Sequence, residues 1–468
     1  MRLAKKSILF FLTDVGTSVI GFLDTLYFAR VLGDEVLGMY FVVIAVLGWL
    51  RIPTYGVSKA INKRISEGKD ANEIFSAGVI INLGYGLIVT VVVLLGSGYV
   101  NRYVGADVSD YFSILLIFNI LFILSLEGLQ GRKKVATAGG VRLLNRVLRA
   151  GLQVALVLLG YSVTAMVGGH ALALLAASLV GVFLFGFKPK LPSRGAYKSV
   201  FDYGRYSWLG MVKNKSFSWM DILVLGFFVS KGFIGVYEVS WRIASFLVLA
   251  SNAVQKTIFP EISDLSQSGE EEEVSKLLNE ALFYAGLLVI PGFFGVMVLG
   301  EKILRIYGAE FVKGAPVLLI LVLARIFNVY EMQILNVING VNRPDVAFRL
   351  NFVFLVVNVA LNITFIYLYG WIGAAVATAL SSLTILFLGY KMLDEITGIP
   401  HLPIRGISMQ IVAGIIMAAV LYVLREVSPI SNMFVTVGMV FLGAGIYGGL
   451  LFLLSDRIRR KVLSLAPI

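Results

Sequence analysis

The chain has no cysteine and only two histidines, His170 and His401, among its 468 residues. The lack of cysteine excludes disulfides and thiolate metal sites, and two histidines so far apart in sequence do not indicate a metal site. The sequence also lacks a G-x-x-x-x-G-K-[ST] phosphate loop, an H-E-x-x-H motif and a G-x-S-x-G motif. An ATP-driven pump and the common hydrolase classes are therefore not indicated. We expect neither an enzyme nor a bound cofactor.

Charged residues are scarce at 15% of the chain, whereas hydrophobic residues reach 58% and the mean hydropathy is +0.87. A helix needs about 20 apolar residues to cross a bilayer, and many such runs are present. The sequence predicts an all-α polytopic membrane protein with about 14 transmembrane helices. The first apolar run continues to Ala29 without a cleavage site, so we interpret it as a retained first span rather than a signal peptide.

Lysine and arginine are distributed unevenly between alternate connecting segments. With the N-terminus inside, the cytoplasmic segments are rich in basic residues, and only a few fall on the external side: Arg102, Lys231, Lys302, Arg305, Lys313 and Arg425. This is the positive-inside distribution of membrane proteins. It predicts a multi-pass protein of the cell membrane with both termini cytoplasmic.

A repeat relates the two halves of the chain. Asp24, Gly38 and Tyr40 return 197 residues later as Asp221, Gly235 and Tyr237, and further identities follow at the same offset. Six predicted helices separate the copies, so the repeats have parallel topology. We expect an N-terminal six-helix lobe at 1–187, a cytoplasmic linker at 188–199, a C-terminal six-helix lobe at 200–393, and two further helices with a basic tail at 394–468.

Basic residues lie inside the predicted spans, where ionised groups are costly and mark functional sites. Arg142, Arg146 and Arg149 have spacings of four and three, which place them on one helical stripe. Snorkelling accounts poorly for Arg149, about 22 Å into its helix. Guanidinium groups suit bidentate phosphate binding, and structural pairing with neighbouring acids is the alternative. The predicted cationic cavity comprises Arg51, Arg142, Arg146, Arg149, Lys213, Lys215 and Arg242.

Acidic residues inside the spans are fewer. They are candidates either for salt bridges or for coupling to H⁺ or Na⁺: Asp14, Asp24, Asp221, Glu238 and Glu331. The excess of buried positive charge favours an anionic substrate, because an organic cation would be repelled.

Three segments carry a family resemblance. The first is Tyr27-Phe-Ala-Arg-Val-Leu-Gly-Asp-Glu-Val-Leu-Gly-Met-Tyr40. The second runs from Asp221 through Gly235-Val-Tyr237 and Trp241-Arg242 to Phe259-Pro260. The third joins Ile338-Asn-Gly340 and Asn342-Arg343-Pro344 to Tyr369-Gly-Trp-Ile-Gly-Ala-Ala-Val-Ala-Thr378. In this order they resemble the polysaccharide-biosynthesis flippases, the O-antigen and lipid-linked oligosaccharide translocases of the MOP superfamily.

The resemblance implies two six-helix lobes around a cationic cavity that alternates between the membrane faces. It implies a flippase for a polyprenyl-(pyro)phosphate-linked oligosaccharide, with membrane lipids and glycan-assembly enzymes as further partners and no nucleic acid. Two alternatives remain open: a cation-coupled multidrug exporter of the same superfamily, and a non-transporting scaffold in glycan assembly. The sugar, the undecaprenyl or dolichyl carrier, the coupling ion and a bacterial or archaeal source also remain open.

Overall fold

A computed structural model describes residues 2–207, 209–398, 402–427 and 432–465; the side chains of 2–19, 206–218, 397, 462, 464 and 465 lie outside the described part. Helices account for most of the described chain. In order they are α1 Arg2–Leu50, α2 Ile52–Ser66, α3 Ala71–Leu95, α4 Ser97–Val104, α5 Ser109–Gly131, α6 Val135–Leu158, α7 Val163–Phe185, α8 Arg194–Ser207, α9 Leu209–Phe228, α10 Lys231–Phe246, α11 Leu249–Ser268, α12 Glu271–Arg305, a 3₁₀ helix Ala309–Gly314, α13 Ala315–Gly340, α14 Pro344–Thr397, α15 Ile404–Val427, α16 Met433–Leu454 and α17 Asp456–Leu465.

Two of these helices are interrupted by a glycine in a conformation that other residues rarely adopt. Gly33 in α1 has φ 77° and ψ −179°, and Gly370 in α14 has φ 60° and ψ −143°. A straight 54-residue helix would be about 80 Å long, far more than the ~30 Å of a bilayer core. Each break therefore divides one helical run into two.

Among the described residues, nine helices are long and apolar enough to cross a membrane, with α1 and α14 each counted once despite their breaks. The count becomes ten if α10 and α11, which bend by 47° at their junction, form one broken span. The protein is thus an all-helical, multi-pass membrane protein.

The chain divides into two compact units, residues 1–235 and 236–468. In the first unit α5 is central and packs against α2, α3 and α7, while α6 packs against α7 and α1. The face of α5 that meets these neighbours is apolar, with Leu115, Leu116 and Leu124 fully buried. Burial on several sides fixes the direction of the polar groups on α5, which contribute to the site described below.

The segment between α7 and α8 is held against the start of α3. The Lys190 ammonium lies 2.6 Å from the Asp70 carboxylate, and the Ser193 amide donates to Glu73 at 3.0 Å. Asp70 is also the N-cap of α3 and accepts hydrogen bonds from the Asn72 and Glu73 amides. The hydrogen bond from Lys190 and these amide bonds lower the pKa of Asp70. The segment is therefore docked on α3 by hydrogen bonds and one ion pair.

In the second unit α13 packs between α12 and α14, and α12 also contacts α11 and α15. The last two long helices join this unit through an apolar cluster: Val298, Leu299, Ala413, Met417, Leu421, Met439, Tyr447 and Leu451. Because members come from α12, α15 and α16, this cluster anchors the C-terminal pair to the rest of the unit.

Candidate substrate-binding site

Arg51 lies at the joint between α1 and α2. Pro53 occupies the first turn of α2, so the chain begins a new helix directly after the joint. The Arg51 guanidinium donates to the Asn119 side chain of α5 at 3.3 Å, and its buried Nε has no hydrogen-bond partner among the described residues. The joint therefore directs a cation into the first unit, and no carboxylate of the described part of the chain pairs with it.

A cavity of about 180 Å³ lies between α2, α5 and α6. Arg51 and Arg142 contribute its cationic groups, and Arg142 has no hydrogen bond or ion pair within the described part of the chain. The full lining consists of Arg51, Tyr55, Ile123, Leu126, Glu127, Gln130 and Arg142.

Glu127 is the acidic residue of this lining, and its charge is already shared. Lys59 lies 2.7 Å from one carboxylate oxygen, and the Asn62 amide donates to the other at 2.7 Å. A carboxylate held by two donors on α2 does not neutralise the arginines across the cavity. The cavity therefore keeps an excess of positive charge.

Arg146 and Arg149 extend this positive surface along α6 towards α1. Arg149 lies 3.7 Å from the Asp24 carboxylate, and both side chains are largely buried. The Arg146 guanidinium packs on the bare Cα of Gly21, where an added Cβ would lie 1.8 Å from Nη2. On the α6 stripe, Arg149 is thus paired with an acid, and the position of Arg146 depends on the absence of a side chain at residue 21.

His170 lies near these arginines. It is buried on α7, and its Nδ1 is 3.1 Å from the Tyr40 hydroxyl. Arg51, Arg146 and Arg149 all lie within electrostatic range of its ring. Three of the predicted cationic residues therefore lie near one buried imidazole, and Arg142 lines a cavity together with Arg51.

The predicted residues of the second unit form ion pairs and hydrogen bonds of their own. Arg242 lies 3.0 Å from Glu238 one turn earlier on α10. Glu331 is buried on α13 and accepts from Asn328 at 3.5 Å. Arg325 donates to Asn328 and stacks 4.0 Å above the Trp241 ring. These contacts hold the charges of the second unit close to compensating groups.

Four predicted site residues remain to be placed: Asp14, Asp221, Lys213 and Lys215. Asp221 is buried on α9. The side chains of Asp14, Lys213 and Lys215 lie outside the described part of the structure, so their predicted roles stay predictions.

Two amides of the site are absent from the predicted set. Asn119 binds Arg51 from α5. Asn145 lies on the α6 stripe, three residues after Arg142 and four before Arg149, and its buried Nδ2 has no partner among the described residues. Helical spacing alone could have placed Asn145 on the same face as the arginine stripe, because residues three and four positions apart share a face. Asn119 carries no such signal, since its role depends on packing between α2 and α5.

The arrangement suits an anion. Among the described residues, Arg51 and Arg142 have no carboxylate partner and the Asn145 amide has no acceptor. Together with a cavity between membrane-spanning helices, these groups favour a ligand with phosphate-like oxygens. The fold and the site define a multi-pass membrane protein whose first unit holds a cavity lined by two arginines.

Comparison with known proteins identifies the family. Residues 27–316 match the family model described as polysaccharide biosynthesis protein. The chain is 32% identical to the probable flippase AglR of Haloferax volcanii over 98% of both chains. Among solved structures, it resembles the lipid II flippase MurJ in an inward closed conformation (TM-score 0.80, 16% identity, 97% of this chain and 100% of that one). It also resembles an inward-facing multidrug resistance MATE transporter of the MOP superfamily (TM-score 0.68, 16% identity, 81% and 94%).

The chain therefore belongs to the polysaccharide biosynthesis protein family, a family of membrane flippases and transporters, and it is not an enzyme. The family resemblance seen in the sequence is confirmed. The two structural matches show the fold alone.

Proposed function

We propose that the protein is a flippase that moves a polyprenyl-(pyro)phosphate-linked oligosaccharide from the cytoplasmic to the outer leaflet of the cell membrane. The single observation that carries the proposal is the cavity in which Arg51 and Arg142 have no carboxylate partner among the described residues. The family and the similarity to a probable flippase support the same class of substrate.

The physical reason is charge compensation. Taking a guanidinium out of water is costly unless an anion replaces the lost hydration. A phosphate or diphosphate headgroup supplies that anion, and each Arg fork can bind two of its oxygens. The oligosaccharide would follow through the hydrated interior while the polyprenyl chain stays in the bilayer.

Alternating access is the proposed mechanism. For this mechanism we propose fourteen membrane spans. Two six-helix lobes, at 1–187 and 200–393, are joined by a linker at 188–199, and two further helices lie in 394–468. Rocking of the repeats would expose the cationic interior first to the cytoplasmic face and then to the outer face. Both termini are proposed to be cytoplasmic.

Coupling to an H⁺ or Na⁺ gradient would require a carboxylate whose state changes with transport. Asp24 is the strongest candidate, because it faces Arg149 at 3.7 Å inside the cationic surface. Substrate phosphate binding to Arg149 would weaken this pair and leave Asp24 to take up a cation. The other proposed candidates are Asp14, Asp221, Glu238 and Glu331.

A leaflet-protection assay tests the proposal. The purified protein is reconstituted into liposomes with a fluorescent polyprenyl-diphosphate oligosaccharide, and an impermeant reagent reports its exposure. Protein-dependent loss of the protected pool is the expected result. Vesicles without protein, and vesicles with a fluorescent organic cation in place of the lipid, are the controls. Movement of the cation but not the lipid would reassign the protein as a drug exporter, and movement of neither would favour a scaffold.

A further inference from the structure

A second cavity of the first unit, about 520 Å³, lies away from the arginine cavity. Its walls are mostly aromatic and aliphatic, and Arg102 supplies a cation. The lining residues that matter here are Val46, Tyr99, Arg102, Tyr103, Phe112 and Phe227. Neither the family nor the arginine cavity accounts for this site.

The helix α5 shows where the two cavities stand relative to each other. Phe112, near its start, lines the second cavity, whereas Ile123 to Gln130, near its end, line the first. These positions are 11 to 18 residues apart, or about 17–27 Å along the helix. Because α5 is long and apolar enough to span the bilayer, the two cavities lie towards opposite membrane faces.

The walls of the second cavity are fixed by contacts that use its other polar groups. The Tyr103 hydroxyl donates to the Leu223 carbonyl at 2.7 Å, and its ring packs 4.6 Å from that of Phe227. The Lys231 ammonium donates to the Gly226 carbonyl at 2.9 Å and lies 5.2 Å from the Tyr103 ring. The tyrosine and the lysine therefore hold the wall together.

Arg102 differs from these residues. Its side chain is exposed, lines the cavity, and makes no hydrogen bond, ion pair or ring contact within the described part of the chain. It sits on α4, the short helix between the apolar helices α3 and α5, and so at the level where lipid headgroups lie. An uncommitted guanidinium beside an apolar, aromatic wall matches a molecule with an anionic head and an apolar chain.

We propose that this second cavity binds the phosphate end of a polyprenyl phosphate lipid, with the phosphate on Arg102 and the first isoprene units against the exposed rings of Tyr99 and Phe227. The inference rests on the proposed function, because it gives the carrier a phosphate site at the membrane face opposite the arginine cavity. Charge complementarity selects the phosphate, and the apolar wall selects a chain over free phosphate.

Photolabelling of the full-length protein tests the inference. The protein is placed in nanodiscs of phosphatidylcholine with a trace of diazirine-bearing polyprenyl phosphate, and labelled peptides are identified by mass spectrometry. We expect label on the 99–104 and 226–227 segments. Labelling of these segments should fall at least about tenfold in the Arg102→Gln variant. It should be partly retained in Arg102→Lys and reduced in Phe227→Ala. Since the Arg102 side chain makes no hydrogen bond, ion pair or ring contact with any residue that the structure describes, Arg102→Gln should keep the wild-type melting temperature.

Three outcomes would overturn the inference: equal labelling of the Arg102→Gln variant, full competition by the same concentration of phosphatidylglycerol, or full competition by inorganic phosphate. The second would show a general anionic-lipid site, and the third a site for phosphate alone.

The result is separable from the fate of the proposed function. Labelling of this cavity that depends on Arg102, in a protein that moves no lipid-linked glycan, would keep the binding site and refute the flippase. Glycan movement together with labelling that does not depend on Arg102 would support the flippase and refute the binding site.

Discussion

Gly38 and Gly235 are in backbone contact, and the contact obeys the internal repeat. A Cβ on Gly38 would lie 1.7 Å from the Lys231 carbonyl oxygen, and a Cβ on Gly235 would lie 2.0 Å from the Asp34 carbonyl oxygen. Moving 197 residues along the chain converts Asp34 and Gly38 into Lys231 and Gly235. The two close approaches therefore involve positions that are equivalent under the 197-residue offset of the sequence repeat.

The first prediction concerns these glycines. Gly38→Ala and Gly235→Ala should each destabilise the protein by about 1–3 kcal/mol, because the backbones must separate to admit a methyl group. Their effects should be similar, since the two contacts are equivalent. The midpoint of thermal unfolding in detergent measures the change.

Gly84→Ala is the matched control for that pair. Gly84 lies on α3, and an added Cβ there meets no atom within 4 Å among the described residues. Alanine should be neutral or stabilising by up to about 1 kcal/mol, through helix propensity. Equal melting temperatures for Gly38→Ala and Gly84→Ala would contradict the close contact.

The second prediction concerns Gly21 and Arg146. In Gly21→Ala the new methyl would meet the end of a flexible side chain, so the fold should lose little stability while the guanidinium moves. Glycan movement should therefore fall by at least about threefold with little change in melting temperature. Adding Gly21→Ala to an Arg146→Ala background should have no further effect on transport, because the displaced group is gone. A further loss in that background would place the role of Gly21 elsewhere.

The third prediction concerns the buried pair of Arg149 and Asp24. Arg149→Gln and Asp24→Asn should each destabilise the protein by about 1–3 kcal/mol, because each removes one member of a partly buried ion pair. The double variant should be less destabilised than the sum, with a coupling free energy of about 1 kcal/mol. Additive single effects would show that the two charges do not interact. If Asp24→Asn leaves transport and its gradient dependence unchanged, Asp24 is not a coupling residue.

The fourth prediction concerns the segment docked on α3. Because the pKa of Asp70 is lowered by Lys190 and the amides of α3, its contribution is present above the ordinary Asp pKa of about 3.9. It is lost as pH falls through the lower pKa of the folded state. Hydrogen exchange of residues 188–193 should quicken in that acid range in the wild type, and at neutral pH in Asp70→Asn. Unchanged protection in Asp70→Asn would show that the ion pair does not hold the segment.

Much of the membrane architecture could be predicted from the sequence, because apolar runs and their glycine breaks are local signals. The stripe of Arg142, Arg146 and Arg149 follows likewise from helical spacing. The partners of these arginines cannot be predicted in the same way, because they come from other helices through tertiary packing. Asp24 and Gly21 contact the stripe, and Asn119 contacts Arg51. The sequence predicts only that Arg102 lies in an external segment, because the aromatic wall beside it is assembled from α1, α4, α5 and α9.

The most direct test of the cationic cavity is the rate of lipid-linked oligosaccharide movement in liposomes containing the Arg51→Gln/Arg142→Gln double variant. Arg343→Gln, which removes an exposed arginine paired with Asp345 at 3.2 Å, serves as the control at equal reconstitution. The account predicts that the double variant is at least about tenfold slower, since it loses two charge-assisted contacts to phosphate, and that the control keeps the wild-type rate. Movement at the wild-type rate by a correctly folded double variant would contradict it.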